Sequence, residues 1–273
     1  MNKITDDTGQ FKKNRAAADL MTSFIEFGEE IEREARYILN KNTVQRKMPY
    51  KYLMYNMLIA KIRLQRSIFY LLKEGEPMSA LLVLRTLFEI LVQYLYIKID
   101  PVKYSINYMQ FSYWQIKKLH EKGFGYINVQ ESKDTEEWLE QTRKQFETIE
   151  KKFLHKKKPF TWWHGMGFSD ICKKVDSKWP GKYDLEKMYN GLYGFLSIES
   201  HGGPLSLGRL VKGEFGNLEP RLESESIHQE VITGLVCNFT YEYYRVFIGV
   251  YNLRKSEKLN SLKKSIDKFV NKK

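Results

Sequence analysis

The stretch "SALLVLRTLFEILVQYLYI", residues 79–97, decides how the rest of the chain is read. It is nearly long enough to cross a bilayer, which takes about 20 apolar residues in a helix, yet Arg85 and Glu89 stand near its middle. Each would cost roughly 2.5–3.5 kcal/mol at the centre of a membrane. A core helix carrying an ion pair avoids that cost, because side chains four residues apart share one helical face and can meet. A helix that is apolar on all sides needs other helices around it. The segment therefore predicts the central helix of a bundle, over residues 77–99.

Outward from it, apolar residues recur at helical spacing, and Gly and Pro fall mainly between such stretches. The pattern predicts further helices over 17–41, 49–74, 102–121, 132–156, 168–177, 183–201 and 225–255, with an amphipathic segment after 256. There is no run of alternating strands, no internal repeat and no Pro-rich or Ser-rich linker. The expected fold class is all-α, a single multi-helix bundle around the 77–99 helix. The bundle core spans 49–255, with an N-terminal helical extension (1–48) and a basic amphipathic tail (256–273). In the tail, Leu259, Leu262, Ile266, Phe269 and Val270 form an apolar stripe flanked by Lys258, Lys263, Lys264, Lys268 and Lys272. Such a stripe packs on the body, joins a homodimer or rests on an acidic membrane.

The 273 residues carry 45 Lys and Arg against 33 Asp and Glu, a net charge of +12 that favours RNA or another anionic ligand as partner. The alternative is a solvated basic surface. Aromatics make up 14% of the chain, so it is a packed protein rather than a disordered basic tail. Cys172 and Cys237 lie far apart with no C-x-x-C pattern, which fits core thiols in a reducing compartment. The polar start "MNKITDDTGQFKKNRAAADL" has no apolar run marking export, so the expected location is cytoplasmic, without a transmembrane segment.

Two further stretches carry candidate chemistry. Tyr189, Tyr193, Ser197 and His201 recur every four residues and line one slowly drifting stripe of a helix. Gly202 supplies a left-handed cap and Pro204 stops the helix, placing His201 in its last turn. There the dipole favours a protonated imidazole, suited to a general acid or an anion-binding cation, or simply to a helix cap. In "KKKPFTWWHGMGFSDICKKV", residues 156–175, Lys156, Lys157 and Lys158 adjoin Phe160, Trp162 and Trp163. Lysines track phosphates and rings stack on bases in single-stranded nucleic acid, while the bland reading is a Trp-rich loop over the core. His164 and Gly165 then turn the chain into a short helix whose expected cap is Ser169 or Asp170. No phosphate loop, dinucleotide fingerprint, H-E-x-x-H or clustered carboxylate set appears, so no cofactor and no metal are expected. Ser197 and His201 have the spacing of a nucleophile and its base, but a helical pair lacks the strained elbow and oxyanion donors of a hydrolase.

Taken in order, "LRTLFE", "WWHGMGFSDICKKV" and "LYGFLSIESH" resemble a mainly bacterial all-helical family, domain of unknown function 5677. Its pattern is R-x-x-x-E, then W-x-G, then Y-x-x-x-S-x-x-x-H. The resemblance covers residues 55 to 250, and the matching positions are Arg85, Glu89, Trp163, Gly165, Tyr193, Ser197 and His201. More loosely the arrangement is similar to the bacterial HEPN ribonucleases, in which an Arg and a His of an R-x-x-x-x-H motif cut RNA without metal. This chain departs from that motif, since no arginine stands four to six residues before His201. A site of that kind would have to recruit Arg85 or Arg209.

Two readings of function follow. The first is a metal-independent ribonuclease or nucleotide-binding or RNA-binding protein of a toxin or antiphage type. In it His201 is general acid or base, Arg85 stabilises phosphate charge, and Glu89 and Ser197 orient them. Lys156, Lys157, Lys158, Trp162, Trp163 and Arg209 would hold the nucleic acid. The second is a non-catalytic helical interaction module, in which Arg85, Glu89, Ser197 and His201 form a buried network that specifies the fold.

Overall fold

The computed structural model describes residues 7–41, 49–121, 154–155, 158–159, 165–180, 182–200, 211–212, 219–220 and 226–271. The long elements are helices: α1 (Asp7–Lys41), α2 (Pro49–Lys73), α3 (Pro77–Ile99), α4 (Pro101–Glu121), α5 (Phe168–Lys178), α6 (Leu185–Ser200), α7 (Ser226–Tyr251) and α8 (Ser256–Val270). The described strands are two-residue pairs. β1 (Leu154–His155) lies antiparallel to β2 (Lys158–Pro159), and β3 (Val211–Lys212) to β4 (Glu219–Pro220). The chain is an all-α bundle.

The helix expected over 132–156 is corrected at its end, where Leu154 pairs with Pro159 and His155 with Lys158. Pro159 has no N–H to continue a helix and biases the residue before it towards extended backbone. The rest of that expected helix, from 132 to 153, lies outside the described residues.

Local chemistry sets the α2–α3 corner. Gly75 adopts φ +78°, a conformation costly for a side chain with Cβ. The Glu76 N–H donates to the Leu71 carbonyl (2.8 Å) and the Gly75 N–H to the Leu72 carbonyl (3.2 Å), closing α2 with a Schellman motif. Pro77 then opens α3, where its missing N–H would have had no helical partner. Asn252 (φ +55°) does the same work after α7, with the Leu253 N–H reaching the Ile248 carbonyl at 3.0 Å. That stop ends α7 four residues short of its expected boundary at 255.

α3 is the helix that the others enclose: α2, α4, α5, α6 and α7 all pack against it. From Leu91 to Ile97 every residue of it is buried. It is long and apolar enough to cross a membrane by length and composition, with mean hydropathy 1.7, and 67% of that stretch is covered within the bundle. The Tyr94 ring stacks on Tyr243 of α7 (centroids 4.0 Å apart), and Phe88 meets Phe239 at 5.3 Å. α1 adds Phe24, Phe27 and Ile31 to the same core.

The C-terminal stripe packs on the body. Leu259 and Ile266 of α8 are buried, Leu262 and Phe269 are packed partly against the core, and Val270 stays exposed. Lys255 (2.7 Å) and Lys258 both bond Glu30 of α1, and these bonds hold the Glu30 carboxyl below its ordinary range.

Candidate functional site

Arg85 and Glu89 project from α3 one turn apart. The Arg85 Nε donates to the Glu89 Oε1 at 3.1 Å, as the four-residue spacing allows. The sequence reading buried both; instead their side chains keep 27% and 20% of their exposure. The neighbouring turns explain this. Leu81, Leu84 and Phe88 turn inward, while Leu82 and Thr86 face solvent on the flank where Arg85 lies.

α6, which carries the tyrosine-serine stripe, is held beside α3 by aromatic packing. Phe168 at the start of α5 contacts Phe88 of α3 (6.3 Å) and Tyr189 of α6 (5.2 Å). Tyr189, Tyr193 and Ser197 then follow along α6 at about 6 Å per step. His201 comes one residue after the helix and lies outside the described residues, as do Lys156, Lys157, Trp162, Trp163 and Arg209. Lys158 is placed by its backbone in β2. Gly165 has φ +68° just before α5.

The cap of α5 differs from the expected one. α5 begins at Phe168 with Gly167 as its N-cap and no side-chain cap, so Ser169 and Asp170 already lie inside the helix. Asp170 there contributes its charge to the first turn. The cap that positions α6 comes from α5: Asp176 accepts the N–H groups of Leu185 (3.1 Å) and Glu186 (3.1 Å), one on each carboxylate oxygen. Asp176→Ala is expected to cost about 1–2 kcal/mol, the usual range for losing such a cap. Urea denaturation measures this, and an unchanged midpoint would show that the corner is held by packing alone.

Both cysteines are buried and free, as their sequence context suggested. Burial pushes each thiol up to about 12, with Asp176 and Glu186 adding to the effect at Cys172. Neither is a nucleophile at neutral pH. Among the described residues no group of three or more His, Cys, Asp or Glu is arranged to hold a metal ion.

Residues 50–217, well over half of the chain, match the family described as Family of unknown function (DUF5677). The chain belongs to that family. No curated protein and no solved structure matches it. The DUF5677 segment runs from α2 through α6 and contains Arg85, Glu89, Tyr193, Ser197 and His201, so the sequence motifs fall inside the family's own span.

Two polar clusters escaped the sequence reading. Lys61 of α2 is fully buried, donating to Gln65 Oε1 (2.8 Å) beneath the ring of Tyr244. Its signal was visible as a lysine inside the apolar run "MLIAKIRL", residues 57–64. The second joins Tyr183, Glu242 and Arg245, with Arg245 Nη2 donating to Glu242 Oε2 at 2.7 Å. It had no sequence signal, because Tyr183 and Arg245 are 62 positions apart.

Proposed function

We propose that this DUF5677 protein is a metal-independent ribonuclease of a bacterial toxin or antiphage type, working in the cytoplasm, with Arg85 and His201 at its centre. The observation that carries this reading is the solvent access of the Arg85–Glu89 pair on a mostly buried, apolar helix. A pair serving only to specify the core gains nothing from an open face, whereas a phosphate ligand needs one. The packing of α6 on α3 supports it too, since α6 leads within one residue to His201.

The chemistry suits these groups. A ribose 2′-oxygen attacks the adjacent phosphorus as His201 takes its proton, the bond to the 5′-oxygen breaks to leave a 2′,3′-cyclic phosphate, and the departing 5′-oxygen takes a proton from water. Arg85 neutralises charge building on the phosphate oxygens, and Glu89 holds the guanidinium in place. Ser197 stands one turn before His201.

The test is cleavage of total RNA and tRNA in EDTA by wild type, His201→Ala and Arg85→Ala, each followed by a thermal melt. The expected result is cleavage by wild type and a loss of at least about 100-fold in each variant. Melting should hardly change for Arg85→Ala, because a partly exposed i, i+4 pair contributes below about 1 kcal/mol. Wild type without activity, together with variants that melt early, would replace the ribonuclease reading with that of a structural network in an interaction module.

A further inference from the structure

At the far end of α3 from its first turns, a second basic site is assembled from three parts of the chain. Lys98, in the last turn of α3, sets its Nζ 5.6 Å from the ring centroid of Trp179, which follows α5. Trp179 meets Tyr183 edge to face at 6.2 Å. The Tyr183 hydroxyl donates to Glu242 Oε2 (3.0 Å) and accepts from Arg245 Nη2 (2.5 Å), both on α7. Lys182 lies over the Tyr183 ring at 5.7 Å.

The charges in this cluster do not balance. Lys98 and Lys182 lie over the Trp179 and Tyr183 rings beside the Glu242 carboxylate that Tyr183 bonds, and Arg245 already engages that carboxylate through both Nε (3.0 Å) and Nη2 (2.7 Å). Lys98 is half-buried and has no hydrogen-bond or ion-pair acceptor among the described residues. Burial lowers its affinity for a proton, and the charges of Arg245 and Lys182 lower it further, with Glu242 opposing them. A cation desolvated beside two like charges, with only a carboxylate that Arg245 already holds to offset them, is costly for the fold alone; an anion relieves that cost when it binds.

The surroundings define the anion. Trp179 and Tyr183 are only partly covered, so ring surface remains beside the ammonium groups. Next door, Lys174 (5.7 Å) and Lys103 (5.8 Å) lie over the ring of Tyr104, which is partly covered and stacked on the buried Tyr96 (4.4 Å). Alternating ammonium groups and aromatic faces match the alternating phosphates and bases of a single strand.

We propose that Lys98, Lys182 and Arg245 form a phosphate subsite for single-stranded RNA, with the neighbouring base stacked on Trp179. The subsite rests on the ribonuclease reading for its substrate class and deepens it. Lys98 lies thirteen positions after Arg85, about 20 Å along α3, so the subsite holds RNA away from the proposed cleavage centre. It sets where a strand lies rather than how it is cut.

The test measures binding apart from cleavage. A fluorescein-labelled 2′-O-methyl oligouridylate cannot be cut by 2′-oxygen attack, and its anisotropy in EDTA reports affinity for the full chain. The double variant Lys98→Gln/Lys182→Gln is compared with Lys264→Gln/Lys268→Gln, an equal charge change on the exposed side of α8. The expected result is at least about tenfold weaker binding for the first and less than about twofold for the second. The salt slope should fall by about 1.4 for two lost phosphate contacts. Trp179→Leu should weaken binding without changing that slope.

Equal effects of the two doubles, or no effect of either, would overturn the subsite. Displacement of the oligomer by UMP at equal phosphate concentration would overturn RNA as its ligand in favour of a free nucleotide. Removing a crowded cation should leave the melting temperature unchanged or raised. If the double fails to fold, the exposed Lys182→Gln alone makes the same comparison against Lys264→Gln. Binding that survives in a protein without cleavage would leave the subsite standing and the ribonuclease reading overturned; cleavage without the Lys98 effect would do the reverse.

Discussion

Gly28→Ala is expected to destabilise the protein by about 2–4 kcal/mol, although alanine is ordinarily the better helix former by about 1 kcal/mol. A Cβ on Gly28 of α1 would lie 2.0 Å from the Tyr244 hydroxyl oxygen and 3.2 Å from Ile62 Cγ1. Tyr244 has nowhere to move. It is fully buried, its ring packs against Phe24 (6.4 Å) and Phe27 (5.6 Å), and the Lys61 ammonium lies 3.5 Å from its centroid. Its hydroxyl donates to the Phe24 carbonyl at 3.0 Å, a bond that any displacement would break. Overpacking of about 1–3 kcal/mol and a lost buried hydrogen bond of similar size outweigh the helix-propensity gain. Tyr244→Phe in the Gly28→Ala background should recover part of the loss by removing the oxygen that clashes. Urea denaturation of the three variants measures both effects. A Gly28→Ala protein as stable as wild type would show that α1 and α7 separate freely at this point.

Lys61→Met is expected to stabilise the protein at pH 7, on the order of the 1–4 kcal/mol seen when buried charged groups give way to packed apolar ones. Burial drives the Lys61 ammonium well below its ordinary range, with Cys237 opposing weakly. In the unfolded chain the same group titrates near 10.4. Between the two values the unfolded chain binds a proton that the native protein releases, so wild-type stability rises with pH across that window. The penalty is complete once the pH falls below the folded value. Methionine removes the titration, so the stability difference between variant and wild type should shrink from pH 7 to pH 9.5. A variant less stable at pH 7, with that difference constant over the range, would mean that the Gln65 oxygen and the Tyr244 ring keep Lys61 protonated in the core.

Neither the approach of Tyr244 to Gly28 nor the Tyr244 ring over Lys61 could be read from spacing, and the same holds for half of the candidate site. Arg85 and Glu89 were recognisable because residues four apart share a helical face, and the contact that spacing allows is formed. Their partial exposure was not recognisable, because it depends on how neighbouring helices leave that flank of α3 uncovered. Asp176 likewise caps a helix that begins nine residues later, across a corner whose angle no local pattern specifies. Lys98 reads in sequence as the basic last turn of an apolar helix, and only the approach of Trp179, Tyr183 and Arg245 turns it into a crowded cation.

By itself, the sequence determined the all-α class, the central place of the 79–97 stretch and the stops that divide α2 from α3. These follow from interactions within a few residues of one another: apolar periodicity, a left-handed glycine at 75, and a proline at 77 whose missing donor suits a first turn. Tertiary structure alone decided which charges lie open, which are buried and which crowd together. Desolvation and Coulomb interaction depend on distance in space and on the surface that other elements cover, and groups 60 or 200 positions apart along the chain become neighbours only when the helices pack.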